Sequence, residues 1–212
     1  MQEAKKCKLC FAAIEILTSF RAKCYYRCTH CQSIMMDPAG YLSSEAEKSR
    51  YDQHNNDVND QGYRNFVKPL VETILNKYSP GARGLDYGAG SGPVAAAMLE
   101  EKGYRVNLYD PYYWNNKTLL DAKYDYIICC EVIEHFTRPA EEFRLLRSLL
   151  CEGGSLVCMT DITSDSLDFE KWYYKNDPTH VFFYHPLALK WIKKEYGFSS
   201  LTVEKRLIHF EV

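Results

Sequence analysis

Two constellations in this chain combine residue types and spacings that imply chemistry. The first is Asp86-Tyr87-Gly88-Ala89-Gly90-Ser91-Gly92, three glycines at alternate positions behind an acid, with a second acid, Asp110, 18 residues beyond Gly92. Glycines so placed let the backbone turn tightly and approach a ligand that any side chain would hold away. An acid about twenty residues on, closing the apolar run Val106-Asn107-Leu108-Tyr109, is placed to accept hydrogen bonds from ribose hydroxyls. The second constellation is Cys7-Lys8-Leu9-Cys10 and Cys28-Thr29-His30-Cys31, two C-x2-C pairs separated by 17 residues. Each pair forms a knuckle, and two knuckles complete a tetrahedral four-thiolate site of the kind zinc occupies. His30, inside the second knuckle, and Cys24, outside both, read as bystanders.

A glycine turn by itself is a weak signal, because many strand-to-helix junctions use one only to turn. Its flanks strengthen it. Residues 84–87 read as the end of a strand, Pro93 sits where a first helical turn tolerates it, and 94–102 is Ala-rich and helical. Gly103 stops that helix and 104–109 reads as a second strand. Together these make a βαβ unit of about 30 residues, long enough for a right-handed parallel crossover.

The spacing is not the Gly-x-Gly-x-x-Gly of dinucleotide-binding oxidoreductases. Asp-x-Gly-x-Gly-x-Gly resembles the first motif of class I S-adenosylmethionine (SAM)-dependent methyltransferases. The resemblance continues in Tyr124-Asp125-Tyr126-Ile127-Ile128-Cys129-Cys130-Glu131-Val132-Ile133-Glu134-His135-Phe136, which looks like that family's fourth strand and its trailing turn. It runs on through 145–159, which looks like a helix, a Gly-Gly turn and a fifth strand, and it covers roughly 61–212. The looser pattern C-x-x-C, D-P, Y-L-S, Y-x-x-H resembles zinc-ribbon methyltransferases found near sugar and polysaccharide biosynthesis. The resemblance implies an α/β, Rossmann-like class I methyltransferase sheet with an N-terminal four-cysteine zinc ribbon. It implies SAM as cofactor and a structural Zn2+ on Cys7, Cys10, Cys28 and Cys31. Asp86 would orient the methionine amino group; Gly88, Ala89, Gly90 and Gly92 would admit the ligand; Asp110 and Pro111 would lie at the ribose. Glu131 and Val132 would line the sulfonium side, with a helix N-terminal cap as the alternative role of Glu131.

The chain departs from the family between Asp110 and Asp125, where 14 residues cannot hold the usual helix and third strand. The sheet is therefore expected to be trimmed at its third-strand edge. Pro111-Tyr112-Tyr113-Trp114 offers aromatics there, for adenine or for plain edge packing.

The organisation expected is a zinc ribbon at 1–36, a helical connector at 37–60 and a transferase domain at 61–212. Ser43-Ser44-Glu45-Ala46-Glu47 is a capped helix start carrying Tyr51 and His54 on one face. The next helix, 61–78, is expected to be interrupted or kinked at Pro69. Residues 161–184 form a long aromatic loop at the end of the fifth strand, where substrates sit in such sheets. A helix at 186–196 leads to strands at 201–206 and 207–212, which leave so little room for a hairpin turn that either the last strand is truncated or the boundary between them is misplaced. If the methyl acceptor must lose a proton, His is the natural base near neutral pH. His180 is the first candidate, in the segment Asp177-Pro178-Thr179-His180, then His135 and His54. The rival readings are a structural His180 held by Asp177 and a His135 that caps its own turn.

With 212 residues, 46% hydrophobic and 25% charged, the chain can bury a full core and a small appendage. A formal charge of −2 implies no global attraction to nucleic acid or anionic membrane. No apolar run is long enough for a membrane span, and Glu15 with two cysteines interrupts any secretory signal. Nine cysteines, an odd number, four of them in core elements, fit a reducing, cytoplasmic setting. Residues 1–33 hold six Lys and Arg against Glu3 and Glu15, which four thiolates and one Zn2+ reduce to about +2. That favours a small-molecule acceptor, a sugar or nucleotide-linked metabolite. An RNA or protein methyltransferase docking through the ribbon is the alternative, and a non-catalytic SAM-binding protein the third. Oligomeric state is left open.

Overall fold

The computed structural model describes residues 5–53 and 57–212, so His54 lies outside the described residues. The chain opens with β1 (Ile14–Phe20) and β2 (Lys23–Cys28), an antiparallel hairpin closed by Arg21 and Ala22 at φ 48° and 63°. Two positive φ values in a two-residue loop match the strand twist that such hairpins require. β3 (Ile34–Met36) continues the ribbon with all three residues buried. α1 (Ser44–Tyr51) starts where expected: Ser43 Oγ accepts from the Ala46 amide at 3.3 Å. It buries none of its residues, so polar contacts hold it.

α2 (Gln61–Lys77) is capped by Asp60 and buries Val67, Leu70, Val71 and Ile74, one face at helical spacing. It runs through Pro69 as one helix, so the expected interruption is absent. β4 (Arg83–Tyr87), α3 (Val94–Glu100) and β5 (Arg105–Tyr109) form the expected βαβ unit, with Gly103 at φ 84° ending α3. β6 (Tyr124–Cys130), α4 (Pro139–Leu149) and β7 (Leu150–Met159) follow. The chain ends in β8 (Phe182–Phe183), α5 (Pro186–Glu195), β9 (Ser200–Glu204) and β10 (Leu207–Glu211).

The main sheet has the order β5-β4-β6-β7-β10-β9, with β4 to β7 parallel and β10 antiparallel to both neighbours. The residues that would hold a third-strand edge instead form a 3-10 turn, Lys117–Asp121, so the sheet is trimmed as expected. Side chains alternate across the sheet. Tyr126 and Ile128 pack with α2 and α3; Ile127 and Cys129 pack with Phe143, Leu146, Leu189 and Ile192 of α4 and α5. The final strand is not truncated. Lys205, at φ 55°, and Arg206 suffice to turn the chain, and β9 and β10 pair over five positions.

The 161–184 segment is not a free loop. β8 pairs antiparallel with β3, Ile34 opposite Phe183 and Met35 opposite Phe182, so it completes the ribbon's sheet. Tyr25 of β2 lies edge-on to Phe169 at 5.1 Å, and Phe169 lies edge-on to Phe183 at 5.3 Å. One buried apolar cluster runs from Cys7 and Leu9 through these rings to Phe143 and Phe210. Phe183→Ala should therefore cost about 3–5 kcal/mol, the usual loss for a buried aromatic. Denaturant unfolding should show one transition shifted as a whole; two separate transitions would contradict a shared core.

Candidate active site

The strand order reverses between β4 and β6, since the chain leaves β4 for β5 on one side and returns to β6 on the other. A crevice opens at the carboxyl ends of strands at such a point. Here it is a cleft of about 940 Å³ lined by the β4 turn, the β5 end and the β6 turn, with residues from α1, α2 and the 161–184 segment closing it.

The glycine turn is shaped by its neighbours. Gly88 has φ 83°, and a Cβ there would lie 2.5 Å from Val132 Cγ2, so only glycine fits against the β6 turn. Gly88 and Ala89 both donate their amides to the Tyr109 carbonyl, at 2.8 and 3.1 Å. Asp110 draws the turn in further: its Oδ2 accepts from the Gly90 amide at 3.0 Å, and its Oδ1 from the Tyr112 and Tyr113 amides at 2.8 and 3.1 Å. Trp114 completes the clamp with an indole N–H to the Gly90 carbonyl at 2.7 Å. Trp114 is thus a fastener of the glycine turn. Tyr112 and Tyr113 reach across to α1 and its cap, donating to Glu47 at 2.9 Å and Asp52 at 2.6 Å. Asp86 is buried, and burial, then the Asp110 charge, raises its carboxyl to about 7.

The opposite wall begins at Glu131, which follows β6 at φ 53°, a conformation that costs a non-glycine residue about 1–3 kcal/mol. Its Oε2 accepts from Arg206 at 2.5 Å and lies 3.1 Å from the Tyr174 hydroxyl oxygen, so it is an ion-pair member, not a helix cap. Arg206 also lies 3.4 Å from Asp161 and over the rings of Tyr174 and Phe66. Glu134, in the 3-10 turn Ile133–His135, is fully buried and takes a short hydrogen bond from Tyr174. Burial raises both carboxyls to about 7, Glu131 also through the Glu134 charge, and Arg206 opposes the rise in both.

His135 and His180 stand side by side, ring centres 4.9 Å apart at 71°. His180 Nδ1 lies 2.7 Å from the Tyr174 carbonyl and His135 Nδ1 3.0 Å from the Thr179 carbonyl. A carbonyl only accepts, so each Nδ1 carries the proton and each neutral ring keeps its lone pair on Nε2. Burial lowers both imidazoles and the neighbouring His135 lowers His180 further, to about 3, so both are neutral at pH 7. Asp177 does not hold the His180 ring. Its carboxylate accepts from Thr179 and from Arg50 of α1 at 2.7 Å, and although burial pushes it up, these partners bring it to about 2.

The structure thus gathers Asp86, the glycine turn, Asp110, Pro111, Glu131, Val132, His135, Asp177 and His180 around one cleft. The four cysteines form a separate group: Cys7, Cys10, Cys28 and Cys31 place their sulfurs within 4.8 Å of one another. Of the ribbon's aromatics, Tyr25 is buried and Phe20 lies under the Lys175 ammonium at 3.9 Å, so neither is presented to stack on a base. Sequence reasoning missed Arg206, placed in a strand, and Tyr174, lost among loop aromatics. It also missed Glu134, which stood inside a motif quoted for its neighbours. Arg50 of α1 carried no signal of its own, and Glu47 and Tyr51 were noted only as parts of the helix start and its face.

A family profile described as a methyltransferase domain matches residues 31–203. The chain belongs to this methyltransferase family. No curated protein sequence matches it. Among solved structures it is similar to the magnesium protoporphyrin IX methyltransferase of Synechocystis PCC 6803 with bound SAH, at 19% identity and TM-score 0.54, over 80% of this chain and 94% of that one. An O-methyltransferase family protein from Burkholderia thailandensis aligns at 14% identity and TM-score 0.52, over 78% of this chain and 61% of that one. A SAM-dependent methyltransferase from Archaeoglobus fulgidus aligns at 20% and 0.51, over 66% and 72%. At these identities the likeness is one of fold. Among the described residues no helix is long and apolar enough to cross a membrane.

Asp86 generates a pH prediction. A carboxyl raised on folding stabilises the folded state fully below its unfolded pKa of about 4 and loses that contribution as pH climbs through about 7. Asp86→Asn should therefore be near neutral at pH 4 and gain on the order of 1–4 kcal/mol over wild type at pH 8. Urea unfolding at the two pH values checks this; an equal effect at both would show that Asp86 is not strained by burial.

Proposed function

We propose that this protein is a SAM-dependent methyltransferase acting on a small-molecule acceptor, a sugar or nucleotide-linked metabolite. The observation that carries the reading is the convergence, on one cleft at the strand-order reversal, of the Asp86 glycine turn, the β5-end acid Asp110 and the His135–His180 pair. The residues fit the donor. The cleft holds a buried acid for an ammonium, an acid for a diol and a glycine turn between them. Three of roughly four lone-pair directions on Asp110 take backbone amides, leaving room for a ribose hydroxyl. Pro111 follows at the cleft edge, and Glu131 and Val132 line the side where a sulfonium charge would be favoured.

When bound, SAM supplies an electrophilic methyl on a sulfonium. The chain's own residues then have two tasks: to align the acceptor against that methyl and to take its proton. His180 offers its Nε2 lone pair for the proton, with His135 beside it. Asp177, tied to Arg50 of α1, positions the loop that carries His180. α1 closes the acceptor side with Tyr51, edge-on to His135 at 5.4 Å, and this enclosure favours a small acceptor over a polymer.

We read the chain as ribbon 1–36, connector 37–60 and transferase 61–212, with a structural Zn2+ on the four ribbon cysteines in a reducing compartment. The donor set fits: sulfurs are 3.3 Å apart for Cys10–Cys28 and 3.7 Å for Cys7–Cys31, all nine cysteines are free thiols, and the amides of Leu9, His30 and Cys31 point at the Cys7 or Cys28 sulfur at 3.4 Å. Thiolates at such a site sit about 2.3 Å from zinc and accept amide hydrogen bonds, which orient them.

Calorimetric titration with S-adenosylhomocysteine should give one site per chain, weakened about tenfold or more in Asp110→Ala, where a charged hydrogen bond and the turn's clamp are both lost. Binding of a nicotinamide dinucleotide in its place would reverse the reading. His180→Ala should keep that binding yet lose about 10²–10⁴-fold in methyl transfer to any acceptor found by screening. Metal analysis should find one zinc in the ribbon, and its removal by a strong chelator should lower the melting temperature of the whole chain; a zinc-free chain with an unchanged melting curve would refute the structural role.

A further inference from the structure

Beside the ribbon cysteines, one other cluster among the described residues has the makings of a metal site. Glu134, His135 and His180 each offer a ligand atom, all within 4.8 Å of one another, and His180 Nε2 lies 4.0 Å from Glu134 Oε1. We infer that these three residues bind a divalent cation, and that the acceptor is a hydroxyl compound whose oxygen takes a remaining coordination position. The inference rests on the methyltransferase reading and changes one part of it: the Nε2 lone pairs serve the cation, and the acceptor hydroxyl bound to it loses its proton to solvent water.

Three independent features point to the cation. First, both rings donate Nδ1–H to backbone carbonyls, of Tyr174 and Thr179. Metal-bound histidines are held this way, with the second nitrogen pinned to a carbonyl so that the first faces the ion. Second, Glu134 Oε2 is buried with no hydrogen-bond partner, and so is Glu131 Oε1 three residues before it. A buried carboxylate oxygen without a partner is costly, and a cation is what it lacks. Third, the charge is unbalanced. Arg206 pairs directly with Glu131 Oε2 and Asp161, whereas Glu134 has the Tyr174 hydroxyl as its hydrogen-bond donor and feels the Arg206 charge only at a distance. Two imidazoles and one carboxylate suit a first-row divalent ion such as Mn2+, Fe2+ or Zn2+, and three protein ligands leave positions open for substrate oxygen. A hydroxyl so bound loses its proton far more readily than in water.

The test uses the full chain with its ribbon loaded with zinc, and Mn2+ as probe, because Mn2+ prefers oxygen and imidazole to thiolate. Loss of the free Mn2+ paramagnetic resonance signal counts bound ions. Binding of S-adenosylhomocysteine to the same samples reports whether each variant is folded. Wild type should bind one Mn2+ per chain, and Glu134→Gln and His180→Ala should each weaken it about tenfold or more. His209→Asn, on β10 beside Ser155, should bind as wild type does. Should Glu134→Gln fail to fold, His135→Ala, on the less buried ring, replaces it. Failure of wild type to bind Mn2+, or equal binding by the site variants, overturns the cation site while the donor reading stands on its own titration. Failure to bind S-adenosylhomocysteine overturns the donor reading whatever the Mn2+ result.

Discussion

One backbone residue joins the parts of this molecule that its chemistry needs together. Val181 donates its amide to the Glu134 carbonyl at 3.0 Å and accepts from the Met36 amide at 2.9 Å. The first bond ties the 161–184 segment to the turn after β6, and the second ties it to the ribbon. His180 precedes this residue and β8 follows it, so the distance between the two histidines is set by a sheet that begins in the cysteine ribbon. Other ribbon contacts act in the same sense: Thr18 donates to Glu170 at 2.6 Å, and the Lys23 ammonium reaches the Pro178 carbonyl at 3.3 Å. The ribbon therefore braces, from behind, the 161–184 segment that lines the cleft. The Zn2+ proposed for its four cysteines would add to that bracing, since a segment this small has little core of its own.

The donor side is built by a different device. Local backbone hydrogen bonds from Asp110 and Trp114 hold the glycine turn, and Val132 excludes any side chain at Gly88. The glycine of the β4 turn and the valine of the β6 turn are thus sterically matched across two strands. The cost gathers on the opposite wall of the cleft, where Glu131 is strained and two carboxylates share a buried space with Arg206. Strain and poorly neutralised charge accumulate where a fold serves function at the expense of stability.

The glycine turn and the acids around it were legible in the sequence because their determinants are local. Asp86, Gly88 and Gly90 sit within one turn, and Asp110 follows by one strand-helix-strand step. The trimmed edge was legible from chain length alone, since fourteen residues cannot hold a helix and a strand. The ribbon knuckles were legible for the same local reason. The acceptor half was not, because it is made by long-range pairing. Nothing near Phe182 signals that it lies opposite Met35, and nothing near Arg206 signals that it reaches Glu131, 75 residues earlier. Of the two readings of the last hairpin, the misplaced boundary holds: β9 ends at Glu204, and Lys205 at positive φ with Arg206 makes the turn. Pro69 does not interrupt α2, whose buried face, Val67, Leu70, Val71 and Ile74, spans it.

The central claim is that a ribbon-anchored loop sets His135 and His180 opposite a methyl donor cradled by the β4 turn. A crystal structure of the zinc-loaded chain with S-adenosylhomocysteine tests it most directly. The account predicts the ribose at Asp110, the amino group at Asp86 and the thioether sulfur facing the histidine pair across a gap for one acceptor. A ligand bound elsewhere, or a sulfur turned away from both rings, would contradict it.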